Sequence, residues 1–380
     1  MIFLQKKKER LSTVITKGKT ITEFTFAEYG SAVIFLEKDK DSYQAKVVNT
    51  ETIALKKLFD VKECTNNAIT LDKCKYRIDG GDWHEEMAVI NLFNDILELQ
   101  KPCDVELQFS FNISEQFDFD SVKLCMEDPG KFNIHINGSK YSFIDNGMYI
   151  DTSFRTSNIG NWLKLGKNTV TLSCRFTQSP ELYYAKFTPG VHKAELNKLT
   201  YDTELESIYI IGDFGVLMDG DYHYGERRCI HAGRNFSLIA PTKSVDITDI
   251  TPQGFWFFSG KLSLSQIVKI KKTENRRYII KLEQLNAPAI KVLVNGKFAG
   301  NIAFAPFTLE VTDLLKYGEN EIVFVMLSGN RNLLGPHHRP SGESYSVGPD
   351  TFSNKTGLAD DATLPPWTDD YNFVVFGAQI

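Results

Sequence analysis

The sequence lacks most of the patterns that announce a chemistry. No apolar run approaches the ~20 residues that a bilayer-spanning helix needs. Six cysteines are present (Cys64, Cys74, Cys103, Cys125, Cys174 and Cys229), and no two are spaced as C-x-x-C. That spacing argues against zinc ribbons and thioredoxin-type redox pairs and leaves reduced thiols acting as small core hydrophobes. No Gly-x-x-x-x-Gly-Lys-Ser/Thr loop and no Gly-x-Gly-x-x-Gly after a strand offers a phosphate cradle. No Gly-x-Ser-x-Gly elbow supports a serine hydrolase. Cations are in deficit: 43 Lys and Arg against 48 Asp and Glu give a net charge of −5. Nucleic acid and anionic membrane surfaces need clustered cations, so neither is the expected partner. The basic runs at 6–8 and 269–272 are short, and a solvated face or a lysine-guarded strand edge accounts for them. The opening Met1-Ile2-Phe3-Leu4-Gln5-Lys6-Lys7-Lys8 places its charges after the apolar stretch, the reverse of a signal peptide, and leaves localisation unassigned.

Long helical periodicity is scarce too. A parallel α/β barrel needs ~250 residues of alternating strand and helix, and no such stretch exists. The helical candidates are short, at 158–165 and 312–317. Period-two runs of Val, Ile, Phe and Tyr occur instead at 32–36, 105–111, 132–136, 169–172, 207–211, 277–282, 290–294, 321–327 and 373–376. Aromatics reach 12%, with 27 Phe and 15 Tyr, enough to face several sheets. With Asn-Gly turn signals between the runs, the expected fold is all-β, a tandem pair of jelly-roll sandwiches with few short helices.

An internal repeat sharpens this. Strand 132–136, Asn137-Gly138, a turn at 159–165, Gly166-Lys167-Asn168 and strand 169–172 recur in order. The second copy is strand 290–294, Asn295-Gly296, a turn at 312–317, Gly318-Glu319-Asn320 and strand 321–325. Asn-Gly supplies the two positive-φ positions of a type I′ turn, and the later glycine supplies a left-handed corner. The expected division is 1–60 as terminal strands of an upstream β domain, 61–200 as the first sandwich, and 201–380 as the second. The second carries a long excursion at 328–370, and loops of that length are commonly functional or disordered.

Several segments are familiar: Asn67-Ala68-Ile69-Thr70-Leu71-Asp72, Tyr76-Arg77-Ile78-Asp79-Gly80-Gly81-Asp82-Trp83, Ile208 to Phe214, and Gly254-Phe255-Trp256-Phe257-Phe258-Ser259-Gly260. So are Asn332-Leu333-Leu334-Gly335-Pro336-His337-His338, and Trp367 with Asp370-Tyr371 and Phe376-Gly377. Together they resemble the C-terminal, non-catalytic region of large bacterial glycoside hydrolases, of the family 2 β-galactosidase-like and α-L-rhamnosidase-like kinds. The resemblance covers most of the chain from about 61 onward. It implies galactose-binding-domain-like sandwiches beside a catalytic barrel encoded upstream, so the expected partner is a glycan or that adjacent domain.

Sugar sites combine aromatic faces with a few placed polar groups. The densest such mixture is Trp256, Arg331, Asn332, His337, His338, Glu343, Trp367, Asp369 and Tyr371, with Arg339 and Tyr345 nearby. The expectation is that the excursion folds over one end of the second sandwich and lines a carbohydrate-binding cleft; the alternative is that it caps the sandwich or docks on a neighbouring domain. Glycoside cleavage needs two carboxylates ~5–9.5 Å apart. Glu343, Asp350, Asp369, Asp370 and Asp213 qualify only by type, so no catalytic residue is assigned. A complete hydrolase with its site in this cleft is the competing enzyme reading, and a purely structural interdomain scaffold is the third. No cofactor is expected. A structural calcium at Asp219-Gly220-Asp221 or Asp360-Asp361 is the one metal whose ligand type is present, although the ordered loop spacing is missing.

Overall fold

The computed structural model describes residues 11–24, 34–35, 42, 44, 48–348, 351–354 and 366–380. The chain is mostly β, in several largely antiparallel sheets with few short helices. The expected strand at 32–36 and the Asp360-Asp361 pair lie wholly or mainly outside these residues.

The first core forms where two sheets face each other. Cys103–Ile113 is central to the larger sheet and pairs along its whole length with Gly166–Phe176. Its alternation is strict: Cys103, Val105, Leu107, Phe109, Phe111 and Ile113 are buried, and the residues between them are not. That period of two gives one strand a core face and a solvent-side face. Opposite lies a five-stranded sheet built from Asn67–Leu71, Ile208–Gly212, Lys123–Met126, Asp151–Asn158 and Met148–Tyr149. It is covered on both sides. Ile69, Leu71, Leu124, Ile208 and Ile210 join the main core, while Ala68, Cys125, Tyr209 and Ile211 pack outward against Tyr149, Phe154 and Leu333.

The second core has Lys261–Ile270, Gly318–Leu327 and Ala289–Val294 in one sheet, with Leu58–Cys64 at the flank of Lys261–Ile270. Arg276–Lys281, Thr308–Glu310 and Asn49–Thr52 form the facing sheet. Leu262, Leu264, Val292, Phe324 and Met326 meet Ile53, Tyr278, Ile280 and Leu309 between them.

Two segments bind the cores together. In Gly254-Phe255-Trp256-Phe257-Phe258-Ser259-Gly260, Trp256 and Phe257 enter the first core while Phe255 and Phe258 enter the second. The chain's last strands do the same, with Tyr371 and Phe373 in the first core and Phe376 and Ala378 in the second.

The two Asn-Gly units carry the same hydrogen bonds. Asn137 and Asn295 have φ of 50° and 53°, followed by Gly138 at 82° and Gly296 at 78°. Asn137 Nδ2 donates to Trp162 O and Asn168 Oδ1, and its Oδ1 accepts from Thr169 N. Asn295 Nδ2 donates to Leu314 O and Asn320 Oδ1, and its Oδ1 accepts from Glu321 N. Asn168 and Asn320 are buried, and each closes the turn four residues upstream, on Lys164 and Lys316 respectively. The expected helical turns shrink to single 3-10 turns, Gly160–Trp162 and Thr312–Leu314.

The helices are few and short, as expected, but one lies where no helical candidate was named. Val89–Glu98 is a ten-residue α-helix. Val89, Leu92, Phe93, Ile96 and Leu97 are buried at the i, i+3, i+4, i+7, i+8 spacing of an amphipathic helix. A second helix, Pro180–Phe187, begins with Ser179 accepting from Leu182 N and proline in the first turn.

Candidate functional site

The excursion docks differently from the sequence expectation. Its described residues lie against the first core's strands and helix. Leu333 O accepts from Thr70 Oγ1 at 2.6 Å, His338 reaches Asp72, and Ser353 Oγ donates to Asn91 Oδ1 at 3.0 Å. The physical reason is that the outer face of the five-stranded sheet is apolar, and Leu333 with Leu334 covers it.

A polar centre forms there around Asp72, at the end of strand Asn67–Leu71. Its Oδ1 accepts from Tyr371 Oη at 2.5 Å, and its Oδ2 accepts from His338 Nε2 at 3.0 Å. His338 Nδ1 donates to Asp370 O at 3.0 Å. Both ring nitrogens of His338 therefore have an oxygen partner. Burial pushes the Asp72 carboxyl up, but the adjacent His338, with a smaller contribution from the nearby His337, outweighs it and holds it well below the usual carboxylate range. Tyr371 is pushed well above a normal phenol, first by burial and then by the Asp72 charge. His337 Nε2 donates to Asn332 O at 2.9 Å. Its Nδ1 lies 3.8 Å from Asp72 Oδ2, too far for a hydrogen bond, and burial lowers its pKa. Trp367 lies on His338 with ring centres 4.8 Å apart.

The remaining candidate residues also have partners. Trp256, Asn332, His337, His338 and Tyr371 are buried. Trp256 is a core residue packed on Phe373 and Tyr222. Asn332 donates to Val374 O and accepts from Val374 N, so it serves the last strand as a neighbouring strand would. Arg331 Nε pairs with Glu343 at 2.8 Å. Asp369, largely exposed, pairs with Lys73 at 3.0 Å. Arg339 bonds the carbonyls of Thr351 and Pro366. Trp367, Asp369, Glu343 and Tyr345 keep some solvent access.

Asp72 was the residue that sequence reasoning missed, because its partners stand 266 and 299 positions away. A second missed cluster lies on strand Cys229–Ala232. Cys229 Sγ is 3.8 Å from His231 Nε2 and 3.4 Å from Asn372 Oδ1. The residue types would suit a nucleophilic thiol. However, Cys229 is fully buried and burial raises its pKa, opposite to the activation such a thiol needs. Among the described residues, no group of three or more His, Cys, Asp or Glu is arranged to hold a metal ion. A small, partly open cavity of about 20 Å³ beside Glu127, Glu204 and Glu206 has room for about one water. A shallow hollow of about 470 Å³ lies on the far helix, lined by Pro180, Tyr184, Val191 and Leu199.

Fold and site define a multi-sheet β protein whose polar centre at Asp72 is made of residues bonded to one another. No protein-family model matches the sequence, and no curated protein resembles it. Among solved structures the chain is similar in part to three carbohydrate-active enzymes. A β-glucuronidase from Ruminococcus gnavus gives a TM-score of 0.28 at 11% identity, over 72% of this chain and 45% of that one. A β-D-mannosidase from Dictyoglomus thermophilum gives 0.25 at 13% identity, over 69% and 31%. A rhamnosidase from Novosphingobium sp. PP1Y gives 0.22 at 14% identity, over 78% and 24%. The chain thus spans less than half of each, and similarity of this size says nothing about activity.

Proposed function

We propose that the chain is a non-catalytic, jelly-roll-type support region of a glycoside hydrolase-like protein, bracing a catalytic domain and offering glycan a contact surface. The observation that carries the non-catalytic part is Asp72. It is the excursion's most deeply buried carboxylate partner, and His338 and Tyr371 occupy both of its oxygens. A general acid or nucleophile must reach a substrate atom within hydrogen-bond distance, and both Asp72 oxygens are already engaged by protein donors. The sequence motifs quoted above support the glycoside hydrolase association. The solvent-reachable set of Trp367, Asp369, Glu343 and Tyr345 is where glycan contact falls.

The burial of five of the nine candidate residues favours a second reading, a purely structural scaffold. Calorimetric titration with a panel of neutral oligosaccharides separates the two. Binding weakened by Trp367→Ala supports glycan contact. Absence of heat with every sugar removes it and leaves the scaffold.

A further inference from the structure

Arg227 and Arg228 sit at the tip of the hairpin between strands Tyr222–Tyr224 and Cys229–Ala232, with φ of 54° and 62°. Consecutive non-glycine residues in the left-handed region are uncommon, and each such conformation is strained. A hairpin that only has to turn can use Asn-Gly, as this chain does at 137–138 and 295–296. Here the strained tip carries two arginines.

The guanidinium carbon of Arg227 lies 4.1 Å from the centre of the Tyr345 ring. Tyr345 is 94% exposed, so the ring stands in solvent on the guanidinium and is not packed into a core. Arg227 Nε is buried and has no hydrogen-bond acceptor among the described residues. A donor in that state is costly, more so when it belongs to a charged group. The neighbouring cation does not share the vacancy, because Arg331 is engaged by Glu343 and by Asn372 O. Backbone strain, an unmet charged donor and a presented aromatic face therefore meet at one hairpin.

We propose that the Arg227–Tyr345 pair is an oxyanion-binding site for a saccharide carrying a carboxylate or a sulfate. The planar guanidinium presents its Nε and Nη donors as a fork that matches two oxygens of one anion. The Tyr345 ring lies against the face of the guanidinium and leaves the in-plane N–H donors free of it, and the other face of this exposed ring is open to stack on the C–H face of the sugar. The oxyanion follows from Arg227 alone; the saccharide rests on the glycan-contact function proposed above.

The test is calorimetry on the full chain at one ionic strength, with polygalacturonate, dextran sulfate, neutral dextran and polyglutamate as titrants. One or both anionic glycans bind, and the tighter of the two identifies the anion. Arg227→Ala and Tyr345→Ala each weaken that binding at least tenfold, and Arg227→Lys, which keeps charge without the fork, recovers only part. Tyr345 is at the surface, so an unchanged melt of its variant shows that the fold is intact. Equal binding by wild type and both variants, or no binding of either anionic glycan, overturns the site. Polyglutamate bound as tightly, with the same Arg227 dependence, overturns the saccharide. A silent neutral dextran counts against neutral-glycan contact and not against the anion site.

Discussion

His338 Nε2 donates to Asp72 Oδ2 across 3.0 Å, joining residues 266 positions apart. With Tyr371 on the other oxygen, this contact fastens both ends of the C-terminal excursion to the edge of one strand. Breaking one side of a buried ion pair costs more than the pair is worth, because the surviving charge stays buried without compensation. Asp72→Ala is expected to lower unfolding free energy in urea by about 3–5 kcal/mol. Asp72→Asn should also destabilise, since its amide NH2 would face either Tyr371 Oη or His338 Nε2, where an acceptor is needed. Asp369→Ala, which removes a largely exposed partner of Lys73, should cost about 0–1 kcal/mol.

Two carboxyls pull stability in opposite directions with pH. The folded-state pKa of Asp72 is depressed. Its contribution is present above the unfolded value and is lost as pH falls through the folded one. Glu206 is raised, with partial burial of its carboxyl and the neighbouring Glu127 and Glu204 as causes, but the residue as a whole is exposed and solvent screening keeps its effect on stability small. The folded state therefore binds more protons at Glu206, and stability declines slightly as pH climbs above the ordinary glutamate range. Denaturation midpoints should thus peak in mildly acid buffer and fall on both sides. Glu206→Gln should flatten the decline on the neutral side and leave the acid side unchanged.

The matched asparagines predict matched penalties. Asn137→Ala and Asn295→Ala each delete two donated bonds and one accepted bond at a positive-φ position. At about 1 kcal/mol per net hydrogen bond, each should cost roughly 2–4 kcal/mol. The two sites lie in different sheets and share no partner, so the double variant should equal the sum within about 0.5 kcal/mol.

Because one short segment fills both cores, the cores should unfold together. Trp256→Ala, on the first-core side, and Phe258→Ala, on the second-core side, should each cost about 3–5 kcal/mol. Each should shift one common transition, followed by tryptophan fluorescence and by far-ultraviolet circular dichroism alike. Separated transitions in either variant would show that the segment does not couple them.

What the sequence reveals here is what local physics determines. Asn137-Gly138 and Asn295-Gly296 announce their turns because few residue pairs accept two positive φ values. Strand 103–113 is legible from its alternation, which the core reproduces residue by residue. Helix Val89–Glu98 carried an equally clear 3.6-residue pattern, but its ten residues sit among strands and pass for another apolar run. The polar centre was half visible. His337, His338 and Tyr371 stand out by type, whereas Asp72 has no local signal and gains its role only through contacts across nearly the whole chain. The docking of the excursion was hidden for the same reason: Asn91 and Ser353 meet across 262 positions.

The most direct test is a hydrolysis assay of the purified chain against a panel of aryl glycosides across mildly acid to neutral pH. If the polar centre is a clasp and the chain a support, no turnover is expected with any substrate. Turnover that Asp72→Asn or Glu343→Gln abolishes without unfolding the protein would contradict it.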